Sequence, residues 1–173
     1  MYQFLVKTKA AINLVLSTLC TVLLVFMTFL VIWQVFTRYV LNDPASFTEE
    51  LVRYSLIWTG FIGAAYAFST REHMALTFLR DKLDESNIKR LKVAVDVVIL
   101  LFALAILVIG GTKLAIAASM EYSALLGFPR SLVYSMAPIS GVFIVIIQII
   151  NIYEDITGVS LSNKQDTQTK EDK

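Results

Sequence analysis

The sequence predicts an all-α integral membrane protein with four transmembrane helices and both termini in the cytoplasm. Three observations support this fold class. The 173-residue chain is 57% hydrophobic and only 17% charged, whereas soluble domains carry about 25% charged residues. Charged residues are absent from four long blocks. Lysine and arginine are divided unevenly among the segments that separate these blocks.

The four uncharged blocks define the predicted spans. The first covers 28 residues between Lys9 and Arg38, and the fourth covers 23 residues between Arg130 and Glu154. Both are long enough by themselves, because a bilayer core about 30 Å thick needs roughly 20 apolar helical residues. The second and third blocks, of 17 and 16 residues, reach this length only with flanking polar turns. A single membrane domain, 1–158, is predicted, with spans at about 10–37, 47–70, 89–118 and 131–153.

The orientation follows from lysine and arginine alone. Eleven of these fifteen residues lie in the N-terminal segment, the segment between spans two and three, and the C-terminal tail. The positive-inside rule therefore places these three segments in the cytoplasm and the loops 38–50 and 113–130 outside. The polar tail, 159–173, is predicted to be disordered in the cytoplasm.

The segment between spans two and three predicts an amphipathic helix at the membrane interface. Leu76, Leu79 and Leu83 recur at helical spacing between charged residues, a pattern typical of interfacial helices. Basic side chains at this inner membrane edge are predicted to contact anionic headgroups. They are Arg71, His73, Arg80, Lys82, Lys89, Arg90 and Lys92.

The first outer loop predicts an ion-pair cluster. Ser46 and Glu49 have the spacing of a capping box, which predicts a helix start. Arg53 follows Glu49 by four residues and shares its helix face, and Arg38 can meet Glu49 or Glu50. We expect Arg38, Glu49, Glu50 and Arg53 to order the hairpin, to form a docking surface for a partner, or to do both.

Several residues suggest structural roles. Asp96, the one acid inside a predicted span, is expected to pair with Lys92 one turn away rather than to carry a proton or ion. Small residues at four-residue spacing predict close helix contact. They are Gly60, Gly63, Ala64, Ala67, Gly111 and Ala115. The remaining structural candidates are Asn42 and Pro44 in the first turn, Pro129, Tyr134, and Pro138, which is expected to kink the fourth span.

The residue inventory argues against several functions. The only histidine, His73, falls at a predicted membrane edge, which argues against a Ser-His-Asp set. One histidine and one cysteine, Cys20, cannot form a multi-ligand Cys/His zinc or haem site. A net charge of +1 without a basic stripe argues against nucleic-acid binding. We therefore predict a non-enzymatic membrane protein without a cofactor in this chain. Two alternatives remain, a small self-associating transporter or channel and an intramembrane enzyme or cofactor-bearing subunit.

Two patterns spread over about residues 30–141 carry a family resemblance. The first is Gln34-Val35-x-x-Arg38-Tyr39-x-x-Asn42-x-Pro44, then Phe47-x-Glu49-Glu50-Leu51-x-Arg53, then Trp58-x-x-x-Ile62-Gly63-Ala64-x-x-Ala67 and His73. The second is Leu126-Gly127-Phe128-Pro129 with Tyr134, Pro138 and Gly141. Together they resemble the small membrane subunit of TRAP transporters, the tripartite ATP-independent periplasmic systems of bacteria and archaea. Phe47, Ser69 and Thr77 depart from residues common in that family.

The resemblance implies a location, partners and a function. It implies a non-catalytic subunit of the bacterial inner membrane that forms a stable heterodimer with a large membrane subunit. That large subunit holds the substrate and sodium sites and works as an elevator, and the small one extends its scaffold among membrane lipids. A periplasmic substrate-binding protein docks transiently. The organic acid carried stays open among sialic acid, a sugar acid and a C4-dicarboxylate, and details around His73 and Pro129 look closer to the sugar-acid members.

Overall fold

The computed structural model describes residues 2–43, 45–70 and 85–157, and its regular elements are helical apart from one isolated bridge between Tyr122 and Pro129. The predicted interfacial helix, the C-terminal tail and Pro44 lie outside the described residues. The elements are α1 (Tyr2–Tyr39), α2 (Ser46–Thr70), α3 (Glu85–Phe102), a π-helix (Ala103–Gly110), α4 (Gly111–Ala117), a 3-10 turn (Ala118–Met120), α5 (Ser131–Tyr134) and α6 (Met136–Thr157).

Three helical stretches in the described residues are long and apolar enough to cross a membrane, where the sequence predicted four. They are Leu5–Tyr39, Arg90–Met120 and Ser131–Thr157. The second predicted span is present as α2, whose 25 residues extend about 37 Å, but it does not meet this criterion. Polar side chains explain the difference, because Thr48, Glu50, Ser55 and Ser69 lower the mean hydropathy of α2. All four are buried within the bundle. A membrane-spanning role for α2, and with it the total of four spans, remains a prediction, as does the orientation.

α6 occupies the centre of the bundle. α1 packs along α2, α2 packs on α6, and α6 also packs on α3 and the π-helix. Burial agrees with this order, because 44% of the apolar stretch of α6 is buried, against 6% for α1. The hydrophobic core lies where these helices meet and contains Leu16, Ile62, Ala65, Ala103, Ile144 and Ile147.

The third rod is the continuous helical segment formed by α3, the π-helix, α4 and the 3-10 turn. The π-helix keeps one face of this rod directed inward. Asp96, Ala103, Gly111 and Ala118 are its buried positions, so successive intervals are seven, eight and seven residues. Seven residues make almost two α-helical turns. The wider i to i+5 hydrogen bonding of a π-helix takes up one additional residue. The eight-residue interval spans this π-helix, and the buried face therefore continues through it.

Two glycines allow the third rod to approach α6 closely. A Cβ atom on Gly111 would lie 3.0 Å from Pro138 Cδ, and one on Gly141 would lie 2.8 Å from Leu107 Cβ. The helix is interrupted at Ser135, between α5 and α6, so Pro138 falls in the first turn of α6. A proline is tolerated there because no carbonyl within the helix requires its missing N–H.

We expect Gly141→Ala to lower the free energy of unfolding in detergent by about 1–3 kcal/mol, because the new methyl group overlaps Leu107. Gly60→Ala is the matched control, since a Cβ at Gly60 meets nothing within 4 Å. It should leave stability unchanged or raise it by about 0.5–1 kcal/mol through helix propensity. Equal denaturant midpoints for the two variants would contradict the close approach.

Candidate functional site

One face of α2 holds the loop that precedes α5. Glu50, Tyr54 and Trp58 follow one another at four-residue intervals and therefore lie on the same side of the helix. Glu50 accepts a hydrogen bond from the Tyr54 hydroxyl, at 2.5 Å, and another from the Leu125 amide, at 3.3 Å. The Trp58 indole donates to the Val133 carbonyl at 3.2 Å. These contacts fix the start of α2 against residues 121–133.

The loop 121–130 is itself tightly closed. The Ser123 amide donates to the Phe128 carbonyl at 2.9 Å, and the Arg130 amide donates to the Glu121 carbonyl at 2.8 Å. The side chains of Arg130 and Glu121 also pair at 3.2 Å. This hydrogen bond to Glu121 raises the pKa of Arg130 above its usual value. Gly127 has a φ of 71°, a backbone conformation that residues with a Cβ rarely adopt.

The four residues predicted as one ion-pair cluster occupy two environments. Arg53 pairs with Glu49 at 3.3 Å, and both side chains are more than half exposed. Glu50 is buried and contacts the 121–130 loop instead. Arg38 is exposed at the end of α1, and no described salt bridge joins it to Glu49 or Glu50. The structure thus brings together one predicted pair, and the docking role of all four stays a prediction.

The turn between α1 and α2 differs in detail from the expected capping box. α2 begins at Ser46. The hydroxyl and the backbone amide of Thr48 both donate to the Ala45 carbonyl, and the hydroxyl oxygen lies 2.6 Å from it. Glu49 is engaged with Arg53. Asn42 has a φ of 54°, a left-handed conformation that asparagine tolerates better than most residues. It therefore turns the chain after α1.

The small residues predicted for helix packing have different neighbours. Gly63 faces Cys20 of α1, where a Cβ would lie 3.9 Å from the sulfur atom, and Gly111 faces α6. Ala115 is half-buried. Gly60, Ala64 and Ala67 are exposed.

Gly60 and Ala64 line an open apolar groove of about 350 Å³. Its far wall contains Phe102 and Leu107 of the third rod, and Ile144 of α6 also lines it. Part of the predicted small-residue face is therefore left without a partner among the described residues.

A buried polar network connects the helices at the end of the bundle opposite the 121–130 loop. Lys9 of α1 donates to Asn151 at 2.9 Å and pairs with Glu154 at 2.8 Å. Asn151 donates to Gln148 at 3.2 Å, and Gln148 donates to Asp96 at 2.7 Å. All five residues are at most 7% exposed. The network therefore ties α1 and α3 to α6 across an otherwise apolar interior.

Two further contacts bring α2 into this network. Asn151 also contacts the Phe68 carbonyl of α2 at 3.5 Å, and Ser69 donates to Asn13 of α1. Ser69, one of the departures from the family pattern, is 2% exposed. All four long helices are thus linked by polar contacts near this end.

Most of this network is not evident from the sequence. Helical spacing predicts that Asp96 pairs with Lys92, whereas the structure shows it accepting a hydrogen bond from the Gln148 amide on another helix. In the sequence, Lys9 contributes only to the positive charge of the N-terminal segment. A local signal exists, because Gln148, Asn151 and Glu154 are spaced by three residues and share one face of α6. The signal identifies a polar face but does not name the partners.

The predicted inner membrane edge lies largely outside the described residues. Arg71, His73, Arg80 and Lys82 are not described, and nothing is described of the Lys89 side chain. Arg90 is exposed and Lys92 is half-buried. Within the described part of the chain, no group of three or more histidine, cysteine, aspartate and glutamate residues is arranged to hold a metal ion.

Removing Lys9 should destabilise the bundle. Lys9→Met leaves Glu154 buried without this cation, which costs about 3–5 kcal/mol of unfolding free energy. Lys7→Met removes the same charge from an exposed position and should change it by less than about 0.5 kcal/mol. The double variant Lys9→Met, Glu154→Gln should recover part of the loss. Equal denaturation curves for the two lysine variants would refute this role.

Glu50 should hold the 121–130 loop more strongly than Glu49 does. In Glu50→Ala, hydrogen exchange at the Leu125 amide should accelerate about tenfold or more, because a hydrogen bond to a charged group contributes about 1.5–3 kcal/mol. Glu49→Ala breaks only an exposed pair and should leave that rate unchanged. Exchange followed by mass spectrometry distinguishes them, and equal rates would argue against the tether.

Comparisons with known proteins identify the family of this chain. The family model described as the DctQ component of tripartite ATP-independent periplasmic transporters matches residues 27–158. A Haemophilus influenzae protein whose name assigns it to the TRAP transporter small permeases is 33% identical over 134 residues, which cover 77% of this chain and 82% of the relative. The sialic acid TRAP transporter small permease protein SiaQ of Vibrio cholerae is 34% identical over 133 residues, which cover 75% and 76%. The chain belongs to the TRAP small permease (DctQ) family, whose members are transporter components rather than enzymes.

Proposed function

We propose that this chain is the small membrane subunit of a sodium-coupled TRAP transporter for an organic acid, and that it binds the large membrane subunit along the open side of α2. The observation that carries the proposal is the unfilled groove beside Gly60 and Ala64. The family membership supports a tripartite complex with a large membrane subunit and a binding protein.

The groove has the chemistry of a helix-packing surface. Helix association in lipid depends on close van der Waals packing, and small residues let two backbones approach. Gly63 uses this property inside the chain, against α1, whereas Gly60 has no neighbour within 4 Å of its Cβ position. Phe102 and Leu107 supply an apolar wall. A helix of the large subunit packed here would complete the contact that the sequence pattern indicates.

The rest of the chain is suited to a fixed scaffold. The buried polar network and the close approach at Gly141 hold the helices in one arrangement. We place both termini in the cytoplasm of a bacterium and the 121–130 loop in the periplasm. Three side chains at this end of the bundle are largely exposed: Tyr39 (75%), Met120 (86%) and Tyr122 (63%). These side chains would form part of the surface on which the periplasmic binding protein docks.

The substrate is proposed only by relationship. The Vibrio cholerae relative is named for sialic acid, which makes a sialic acid or sugar acid the first substrate to test. The substrate and sodium sites would lie in the large subunit. Uptake of labelled sialic acid by vesicles containing the whole transporter, with and without a sodium gradient, tests both parts.

The partner is tested by a pull-down of the full chain from native membranes in mild detergent, followed by mass spectrometry. A stoichiometric and much larger polytopic partner supports the proposal. Recovery of a homo-oligomer without such a partner would contradict it and favour the self-associating alternative.

The groove is tested by two matched substitutions in α2. Ala64→Leu fills the groove and should lower recovery of the large subunit by about tenfold, equivalent to about 1.4 kcal/mol of binding. Ala67→Leu makes the same change one turn away, at an exposed position outside the groove, and should change recovery by less than twofold. Equal recovery with both variants would refute this binding face, whatever partner the pull-down identifies.

A further inference from the structure

A second apolar cavity lies near the 121–130 loop, away from the groove. It has a volume of about 400 Å³ and is enclosed by α1, α2, the loop and α5. Leu23 and Phe26 of α1 form one side, Trp58 of α2 another, and Phe128 and Leu132 the third. Phe26 and Leu132 are about half exposed, so the cavity opens on the apolar surface of the bundle.

Three of the four polar side chains that line this cavity donate hydrogen bonds within the chain. The Tyr54 hydroxyl is bonded to Glu50, and the two rings of Tyr54 and Phe128 lie 5.6 Å apart. The Trp58 indole is bonded to Val133, and the Ser135 hydroxyl donates to the Leu132 carbonyl at 2.8 Å. The donors of these three groups are engaged, and the rest of the lining apart from Ser55 is apolar. The cavity therefore favours an apolar occupant.

The chemistry and the size of the cavity exclude two other occupants. Water does not fill an apolar cavity stably, because it needs two to four polar partners. A transmembrane helix is about 10–12 Å across with its side chains and does not fit into about 400 Å³ between four elements. An unbranched hydrocarbon chain fits, and it restores the dispersion contacts that an unfilled void loses.

The charges beside the cavity select a headgroup. Arg130 pairs with Glu121, and Glu50 accepts a hydrogen bond from Tyr54, which lines the cavity. Glu50 accepts hydrogen bonds but forms no described salt bridge. This rim therefore carries two carboxylates and one guanidinium. Its excess negative charge favours a headgroup with an ammonium over an anionic headgroup.

We propose that this cavity binds one acyl chain of a zwitterionic phospholipid, represented by phosphatidylethanolamine, with the phosphate near Arg130 and the ammonium near the carboxylates of Glu50 and Glu121. The chain lies against Phe26, Trp58 and Leu132. This lipid site depends neither on the transported substrate nor on the groove of α2. Failure of the large-subunit proposal would leave it standing.

The site is tested by photo-crosslinking in liposomes that contain the full-length chain. The probe is phosphatidylethanolamine with a diazirine in one acyl chain, and mass spectrometry locates the crosslinks. We expect crosslinks to concentrate at Leu23, Phe26 and Leu132. Unlabelled phosphatidylethanolamine should compete about threefold better than phosphatidylglycerol, the effect of one exposed charge pair.

Two variants fill the cavity, and one matched variant leaves it unchanged. Ser55→Leu and Ser135→Leu should each lower crosslinking at Phe26 by about tenfold. Thr28→Leu makes a comparable change on the exposed face of α1 and should not alter it. Circular dichroism and gel filtration establish that each variant is folded.

Three outcomes would overturn the proposal. They are crosslinking no greater in the cavity than on the exposed face of α1, crosslinking unchanged in a folded cavity-filling variant, and equal competition by phosphatidylglycerol. If neither filling variant folds, the competition measured on the unmodified chain decides, because it requires no substitution.

Discussion

The polar face of α6 is the constraint on which the rest of the bundle depends. Gln148, Asn151 and Glu154 are buried among apolar helices, where an unpaired polar group costs several kcal/mol. Each finds its partner on a different helix, at Asp96 of α3, the Phe68 carbonyl of α2 and Lys9 of α1. Hydrogen bonds of this kind require a defined distance and direction. They therefore set the rotation and height of all the long helices relative to α6.

The two ends of the bundle are held by different means. At the end with the buried network, charges and amides connect the helices directly. At the other end, α2 holds a closed loop through Glu50 and Trp58, and the packing there is incomplete enough to leave a cavity. Between the two ends, Gly141 has no side chain, and this allows the π-helix to lie directly against α6. The result is a rigid framework with open apolar surfaces on its sides.

This arrangement is consistent with a transporter component rather than an enzyme. The described polar groups of the interior are engaged in holding helices together rather than in lining a path. Family membership explains why such a framework is useful, since TRAP small permeases are parts of tripartite systems. In our proposal the groove of α2 meets the large subunit, and the loop end meets lipid and the binding protein.

The sequence by itself determined the family, the all-helical class, the presence of the long apolar helices, and the Glu49–Arg53 pair. These depend on uncharged length and on spacing within one helix, which are local properties. Only the tertiary structure decided that Asp96 bonds to Gln148, that Glu50 and adjacent Glu49 have different roles, and that Gly63 is packed while Gly60 faces open space. Periodicity assigns a residue to a face of its helix, but the helix opposite that face is chosen by the packing of the whole chain.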